Sequence, residues 1–434
     1  MAHADAGKTT ITEQFLYFSG QTRQPGNVDK GTAQTDFLPV EKERGISVCS
    51  SHTSFLWNDS RINLIDTPGH VDFSADVERI MRITDGVILV ISAVEGVQAH
   101  TETLWQALHE RRIPVFFLIN KIDRVGSDTA AVIQSIIKEF KVNPLLLQDV
   151  VQEGEAAVSV ANCWNQDSKS VELTELIVAS NETMLNSYLE GIEPTFSELD
   201  EQLVRLVQSG IYYPLFYCSA KLGLGVEQLL NNIVRYFPVA TGDAGMPLSA
   251  LVYGIEHDKV MGKIALVRVF SGSISNREVI VNSTRDSEEK VTQVRRVFPG
   301  KFEDIGRVEA GDLAGICGLK AVCIGDLLGV NHKTIPAEVK LRTPLIIVQV
   351  QATDKKDYPA LAAALLELSA EDPALNFEWL REDAELQVKI MGWIQMEVLE
   401  QILSDRFGIK ATFLNPTVIY KETPSSIGDA LAGA

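Results

Sequence analysis

The first turn of the chain constrains its fold more than any other stretch. Ala2-His3-Ala4-Asp5-Ala6-Gly7-Lys8-Thr9, with Thr10 behind it, follows the pattern G-x-x-x-x-G-K-[ST] except that Ala2 stands at the first glycine. Small residues let backbone N–H groups curl around a polyphosphate, a lysine reaches its outer phosphates, and the final hydroxyl takes a magnesium ion. A helix predicted over Thr9–Ser19, with apolar Ile11, Phe15, Leu16 and Phe18, would aim its N-terminal dipole at the same anion. A lone G-K-T can be incidental, so the rest of the chain has to decide.

At 434 residues the chain is too long for one ordinary core, and about three domains of roughly 150 residues are expected. Lysine plus arginine minus aspartate plus glutamate is 39 − 58 = −19, which argues against nucleic-acid binding through bulk charge and leaves room only for a local basic face. Cys49, Cys163, Cys218, Cys317 and Cys323 form no C-x-x-C pair, as expected of reduced thiols rather than a disulfide framework. No apolar run nears the ~20 residues of a membrane span, and no signal sequence precedes the loop. A cytoplasmic protein without membrane or DNA partners is the expectation.

Taken in order, residues 20–46 form a polar, glycine-bearing segment too long for a simple connection. Strands are predicted over Val48–Trp57 and Arg61–Ile65 around a turn at Asn58-Asp59-Ser60, and the second delivers Asp66-Thr67-Pro68-Gly69-His70. An acid at the mouth of an α/β sheet is placed to hold Mg²⁺. Buried-type strands Val87–Ser92 and Val115–Asn120 flank a helix over His100–Arg111, the alternation of a mostly parallel, doubly wound sheet. The second strand runs into Asn120-Lys121-Ile122-Asp123, and the apolar run Leu215–Cys218 enters Ser219-Ala220-Lys221. Five such motifs in one order, each at a predicted strand end or helix start, are not a coincidence.

With these residues the chain resembles a translational GTPase of the elongation factor G type. The resemblance implies GTP and GDP as ligands, Mg²⁺ as cofactor and the ribosome, its rRNA and its proteins as partner, with a monomer expected. It makes Ala4, Asp5, Ala6, Gly7, Lys8, Thr9, Thr10 and Gly69 phosphate contacts and Thr9, Ser47 and Asp66 the magnesium set. Ser47 stands where family members generally carry threonine, which keeps the hydroxyl and loses a methyl group. Asn120 and Asp123 would bond the guanine edge, Lys121 would pack along the base or brace the phosphate loop, and Ser219, Ala220 and Lys221 would close over it. Lys8 would neutralise charge at the β–γ bridge, His70 would position the attacking water when the ribosome reorients it, and Asp5 would help orient that site. Residues 20–47 and 66–78 become the two switch segments. About 95 residues between Asp123 and Ser219 imply an inserted subdomain, expected at 143–210, with a helix over Asp128–Phe140, short strands over Asn143–Val160 and acidic helices over Thr174–Leu189 and Glu198–Gln208.

The phosphate-loop domain is expected over 1–240, ending in the turn-rich Val239–Gly245. Recurring strands over 246–341, among them Ile264–Phe270 before Ser271-Gly272 and Val291–Phe298 before Pro299-Gly300, predict a small β-barrel. From 343 to 421 the order strand, helix, two strands, helix, strand predicts a ferredoxin-like α+β domain. Its second helix repeats Ile394, Val398 and Ile402, predicted to cover the sheet. Residues 422–434 read as a tail. Gly392-Trp393-Ile394-Gln395-Met396-Glu397-Val398, Asn415-Pro416-Thr417-Val418-Ile419-Tyr420, Val28-Asp29-Lys30-Gly31-Thr32 and the isoleucine of Asn120–Asp123 are similar to the tetracycline-resistance ribosomal protection proteins more than to elongation factor G itself. A translocation factor is the near alternative, and a non-catalytic nucleotide- or ribosome-binding fragment is the alternative of another class. Two further expectations follow from the resemblance. Its last two domains have no counterpart here, so the chain as given should neither displace tetracycline nor drive translocation. Only Met1 precedes Ala2, so the strand that normally leads into a phosphate loop should be missing and its slot left apolar.

Overall fold

The computed structural model describes all residues except 29–30, 34–40, 42–46, 168–169, 241, 259, 299–300, 331–343, 381–384, 415–416 and 419–434. Much of the first switch segment, the Asn415-Pro416 motif, the turns at Thr241 and Pro299-Gly300 and the tail at 422–434 therefore lie outside the described residues. The chain divides into two compact units, Met1–Arg342 and Thr343–Ala434.

In the first unit, α1 (Lys8–Phe18) follows the loop and leads, past the first switch segment, to a hairpin of β1 (Ser51–Trp57) and β2 (Ser60–Asp66). Asn58 and Asp59 have φ of 45° and 60°, and Trp57 pairs with Ser60, so the hairpin closes through a two-residue turn with both centres left-handed. Asparagine and aspartate tolerate that region best after glycine. Beyond α2 (Ser74–Met81), β3 (Val87–Ser92), α3 (Ala99–Glu110) and β4 (Val115–Asn120) form the alternating core; α4 (Thr129–Ser135) continues as a π-helical turn over Ile136–Phe140. β5 (Leu145–Leu146), a hairpin of β6 (Gln148–Val151) and β7 (Ser159–Asn162), and α5 (Val171–Ala179), α6 (Glu182–Leu189) and α7 (Phe196–Gln208) follow, then β8 (Pro214–Tyr217) and α8 (Val226–Tyr236).

The central sheet is parallel, in the order β3-β4-β8-β5. Every residue of β4 is buried because helices cover both faces, as continuous apolar strands require. Its alternate residues divide between two cores: Phe116 and Leu118 pack under α1 and α8, Phe117 and Ile119 under α3. β5 pairs with β8, so the first residues of the expected insertion belong to the main sheet. The single acidic helix expected over Thr174–Leu189 is two, because the Asn181 side chain accepts from the Met184 N–H at 3.2 Å and starts a new helix.

Where a strand would lead into the phosphate loop, Met1 and Ala2 lie beside β3. The Met1 amino group donates to the Ile88 carbonyl at 2.9 Å, Val90 N–H donates to the Met1 carbonyl at 2.9 Å, and Ala2 forms a parallel bridge to Val90. β2 is laddered to β1 and not to β3. Between β2 and β3 runs an open channel of about 570 Å³ whose walls include Phe15, Ile62, Leu64, Ile80, Ile83 and Ile88. Asp59, Arg61, Asn63, Asp85, Arg268 and Asp312 add polar groups to the same lining.

The remainder of the first unit is an eight-stranded antiparallel sheet centred on Ser249–Asp258, Gly262–Ser271 and Leu313–Cys317, with its own core of Val252, Val267, Ala314 and Ile316. It docks on the phosphate-loop domain through Arg268, which donates to both carboxylate oxygens of Asp85 at 2.9 Å, and through Asn63, which donates to Asp312 at 2.8 Å. In the second unit, Ile346–Ala352, a helix Tyr358–Glu371, strands Glu378–Leu380 and Glu385–Ile390, a helix Trp393–Phe407 and Ala411–Phe413 follow in turn, and the strands lie in the order 378–380, 385–390, 346–352, 411–413. The helix face that covers this sheet overlaps the expected one only in part. Leu403, Val398, Gln395 and Leu399 are its buried residues, Ile402 packs against the core formed by Leu399 and Leu403, and Ile394 is only half-buried. Buried Gln395 is tolerated because its amide accepts from Met391 N–H at 2.8 Å and donates to Asp372 at 3.3 Å.

Candidate nucleotide-binding site

At the C-terminal ends of β3 and β4, where α1 begins, lies a cleft of about 630 Å³. Its position follows from the parallel sheet, whose strand ends and helix starts converge there. Asp5 and Gly7 have φ of 61° and 94°, which turns the backbone of the phosphate loop back on itself and directs successive N–H groups into a concavity. Gly7 is irreplaceable on two counts: its conformation is left-handed, and a Cβ would lie 2.3 Å from Asn120 Nδ2. The Lys8 ammonium donates to the His3 carbonyl at 2.9 Å and lies so near Gly69 that a Cβ there would be 2.2 Å from it. Gly69 thus lets the segment after β2 touch the phosphate-loop lysine.

Thr9 Oγ1 and Ser47 Oγ are 3.0 Å apart, and the Thr9 and Thr12 hydroxyls favour the charged form of the buried Asp66 carboxylate. Burial raises the Asp66 pKa, opposed by Lys8, the Met1 amino group and those two hydroxyls. Two hydroxyls and a buried carboxylate are the hard oxygen donors that suit Mg²⁺. His70 lies on the cleft wall, and its Nδ1 accepts from the Asp72 N–H at 3.2 Å. The Asp72 carboxylate lies 3.5 Å from the same nitrogen.

At the other end of the cleft, Asn120 acts as a brace. Its Nδ2 donates to the Ala6 carbonyl at 2.8 Å, and its Oδ1 accepts from Ala220 N–H at 3.0 Å and from Cys218 Sγ. With 2% of its surface exposed, Asn120 ties the phosphate loop to the Ser219–Lys221 turn, where the sequence suggested a direct contact to the base. These bonds use both acceptor sites of Oδ1 and one of the two Nδ2 hydrogens. Ser219 is fully buried and its Oγ accepts from Leu222 N–H, which shapes the turn. Ala4, Asp5, Gly7, Lys8, Thr9, Thr10, Ser47, Gly69, His70, Lys121, Ala220 and Lys221 line the cleft together. Ala6, Asp66, Asn120, Asp123 and Ser219 stand behind or beside that lining. Sequence reasoning missed Gln14, Glu95 and Arg124, which also line it. For Gln14 a signal existed: it lies about two turns into α1, on the side facing β8, and donates to the Ala220 carbonyl at 2.7 Å. Glu95 and Arg124 follow β3 and β4 in turns, where no motif marks them.

Two buried histidines give the fold an acid limit. Burial lowers the pKa of His3, on the phosphate loop, from 6.5 to about 4; burial also lowers that of His52, beside Tyr253, to about 4. Below pH 6.5 the unfolded chain takes up protons that the folded chain refuses, so stability is lost as pH falls from 6.5 toward 4. A lower Tm at pH ~5 than at pH ~7 is expected in scanning calorimetry, and His52→Phe should reduce the difference; equal Tm values would refute the assignment.

Residues 1–239 match the family described as Elongation factor Tu GTP binding domain, residues 247–331 Elongation factor G domain 2 and residues 341–415 Elongation Factor G, domain III. Elongation factor G of Thermotoga neapolitana is 32% identical over 476 residues, covering 99% of this chain and 68% of that one. The chain belongs to the elongation factor G family. Tetracycline resistance protein TetP of Clostridium perfringens is 39% identical over 431 residues, covering 99% of this chain and 66% of that protein. Tetracycline resistance protein TetO of Streptococcus pneumoniae is 34% identical, covering 98% of this chain and 65% of that protein. A solved structure of a Thermus thermophilus protein superposes with a TM-score of 0.86 at 25% identity, covering 96% of this chain and 66% of that one. The chain thus spans about two thirds of the length of the relatives it matches. Among the described residues no helix is long and apolar enough to cross a membrane.

Proposed function

We propose that the chain binds GTP and Mg²⁺ in this cleft and hydrolyses GTP to GDP and phosphate in response to the ribosome, as a member of the tetracycline-protection branch of the family. The observation that carries the reading is the meeting of Lys8, Gly69, Thr9, Ser47 and Asp66 at one end of the cleft with the Asn120 brace at the other. Phosphate-loop N–H groups and Lys8 neutralise the polyphosphate. Thr9, Ser47 and Asp66 would hold Mg²⁺, which when bound offsets charge on the outer phosphates. His70, held through Nδ1, presents Nε2 to a water beside the γ-phosphate, and Asp5 lies in the loop that orients that end. Asp123, Lys121, Ala220 and Lys221 supply guanine selection around the brace. The higher identity to TetP than to elongation factor G favours protection over translocation. A barrel for the sheet over 247–331 and a ferredoxin-like class for the second unit complete the reading; the 4-1-3-2 order of its first four strands with two covering helices supports the latter.

The test is steady-state turnover with and without bacterial ribosomes. GTP hydrolysis should be slow alone, stimulated by ribosomes, and absent with ATP. His70→Ala should lower stimulated turnover by about a hundredfold or more, the ordinary worth of a positioned acid–base group, while GTP affinity changes little. Full turnover in the variant would leave His70 a cap for the short helix behind it and nothing else.

A further inference from the structure

We infer that Glu95, a residue outside the motifs quoted above, is a positioning residue for nucleotide binding: it holds the Lys121 ammonium across the base end of the cleft. This rests on the proposed nucleotide site. The turn that carries it is tightly built. Buried Ser92 accepts at Oγ from the Val94 and Glu95 N–H groups, both at 3.3 Å, and Gly96 N–H donates to the Ser92 carbonyl at 2.9 Å. Ala93 on the same turn is tied to β4 through its N–H on the Asn120 carbonyl at 2.8 Å. The Glu95 carboxylate therefore projects from a fixed base onto the cleft wall.

There it accepts from Lys121 Nζ through both oxygens, at 3.0 and 3.1 Å. Lys121 has φ of 68°, an uncommon conformation for a residue with a long side chain, and its side chain is only 12% exposed although it lies on an open cleft. A strained backbone persists where its surroundings hold it; the two-oxygen contact holds the side chain, and the Arg124 N–H on the Lys121 carbonyl at 3.1 Å holds the backbone. His3 Nε2 lies 4.0 Å from the same carboxylate, and His3 Nδ1 is bonded to Thr101 Oγ1 at 3.2 Å. Burial keeps that ring neutral near neutral pH, so it does not compete with Lys121 for the acid. One carboxylate thus stands between the phosphate loop and the residue after Asn120. With its charge neutralised and its stem fixed, Lys121 offers a flat aliphatic wall on which a purine can stack.

The base is common to GTP and GDP, so loss of Glu95 should weaken both alike. Equilibrium titrations with fluorescent GDP and GTP on the whole chain, with Glu95→Ala, Glu95→Gln, Lys121→Met and the double variant Glu95→Ala/Lys121→Met, test this. Expected are a roughly tenfold rise in Kd for Glu95→Ala with an unchanged GDP-to-GTP ratio, a smaller rise for Glu95→Gln, which keeps an acceptor oxygen, and a double variant no weaker than Lys121→Met alone. Ribosome-stimulated kcat at saturating GTP should be unchanged while KM rises. Unchanged affinity in Glu95→Ala overturns the inference, as do additive losses in the double variant or a loss confined to GTP. If the unaltered chain binds no guanine nucleotide at all, the proposed function fails and the inference with it; if it binds and the Glu95 variants bind equally well, only the inference fails.

Discussion

Gly7→Ala is expected to weaken GTP and GDP binding by about a hundredfold or more. Two effects act at one atom. Gly7 has φ of 94°, and a left-handed conformation costs an alanine about 1–2 kcal/mol. The added Cβ would also stand 2.3 Å from Asn120 Nδ2, so the bond from that amide to the Ala6 carbonyl cannot survive. Leaving those buried groups unpaired costs about 1–3 kcal/mol. With about 1.4 kcal/mol for each tenfold in affinity, the two costs together reach about two orders of magnitude where they fall on the bound conformation. Calorimetric titration gives the number, and circular dichroism should show that secondary structure is retained. Affinity within about threefold of the unaltered chain would mean that neither the loop conformation nor the Asn120 brace matters to binding.

The second large effect concerns the channel between β2 and β3. An apolar, extended segment of about six residues, the ordinary strand length, fused ahead of Met1 should enter it in parallel with β3, because Met1 and Ala2 already begin that ladder. Each apolar side chain sealed against Ile62, Leu64 or Ile88 contributes about 1.5–3 kcal/mol before ordering costs. A Tm rise of about 5–10 °C is expected, at roughly 2–4 °C per kcal/mol for a domain of this size. GTP affinity should rise with it, since the same ladder fixes where the phosphate loop points. A Gly-Ser segment of equal length is the control. Equal Tm and affinity for both fusions would show that the channel takes no strand. Hydrogen exchange adds a local reading, with the edge amides of β2 and β3 gaining protection only in the apolar fusion.

The phosphate-loop half of the fold was legible in the sequence at most of its elements, though β1 begins three residues after the expected Val48 and the acidic helix over Thr174–Leu189 is two. β3 and β4 were read at their observed ends because a strand buried on both faces must be apolar throughout, and both stretches have that composition. The cleft residues at Ala4–Thr10, Gly69, His70, Lys121 and Ala220-Lys221 were legible because phosphate and base binding need particular residue types at fixed spacing, which leaves a local mark. What stayed hidden depended on contacts distant in sequence. The sequence marks Asn120 as a site residue, but not that its amide ties Ala6 to Ala220, 114 and 100 residues away. On the helix Trp393–Phe407, Val398 and Ile402 were read on the covered side but Gln395 was not, because a buried glutamine is invisible to a hydrophobic pattern until Met391 and Asp372 are seen to satisfy it.

By itself the sequence determined the identity of the elements and the chemistry that each strand end carries, since both depend on neighbours a few residues apart. The tertiary structure alone decided which of those groups face the cleft and which stand behind it. It decided that the segment after β2 may touch Lys8 only through a glycine, that Lys121 is held by an acid from a different turn, and that residues of β2 and β3 line one channel without pairing. These are packing outcomes. Each depends on distances between segments that the chain connects only through long intervening stretches, and a linear pattern carries no record of such distances.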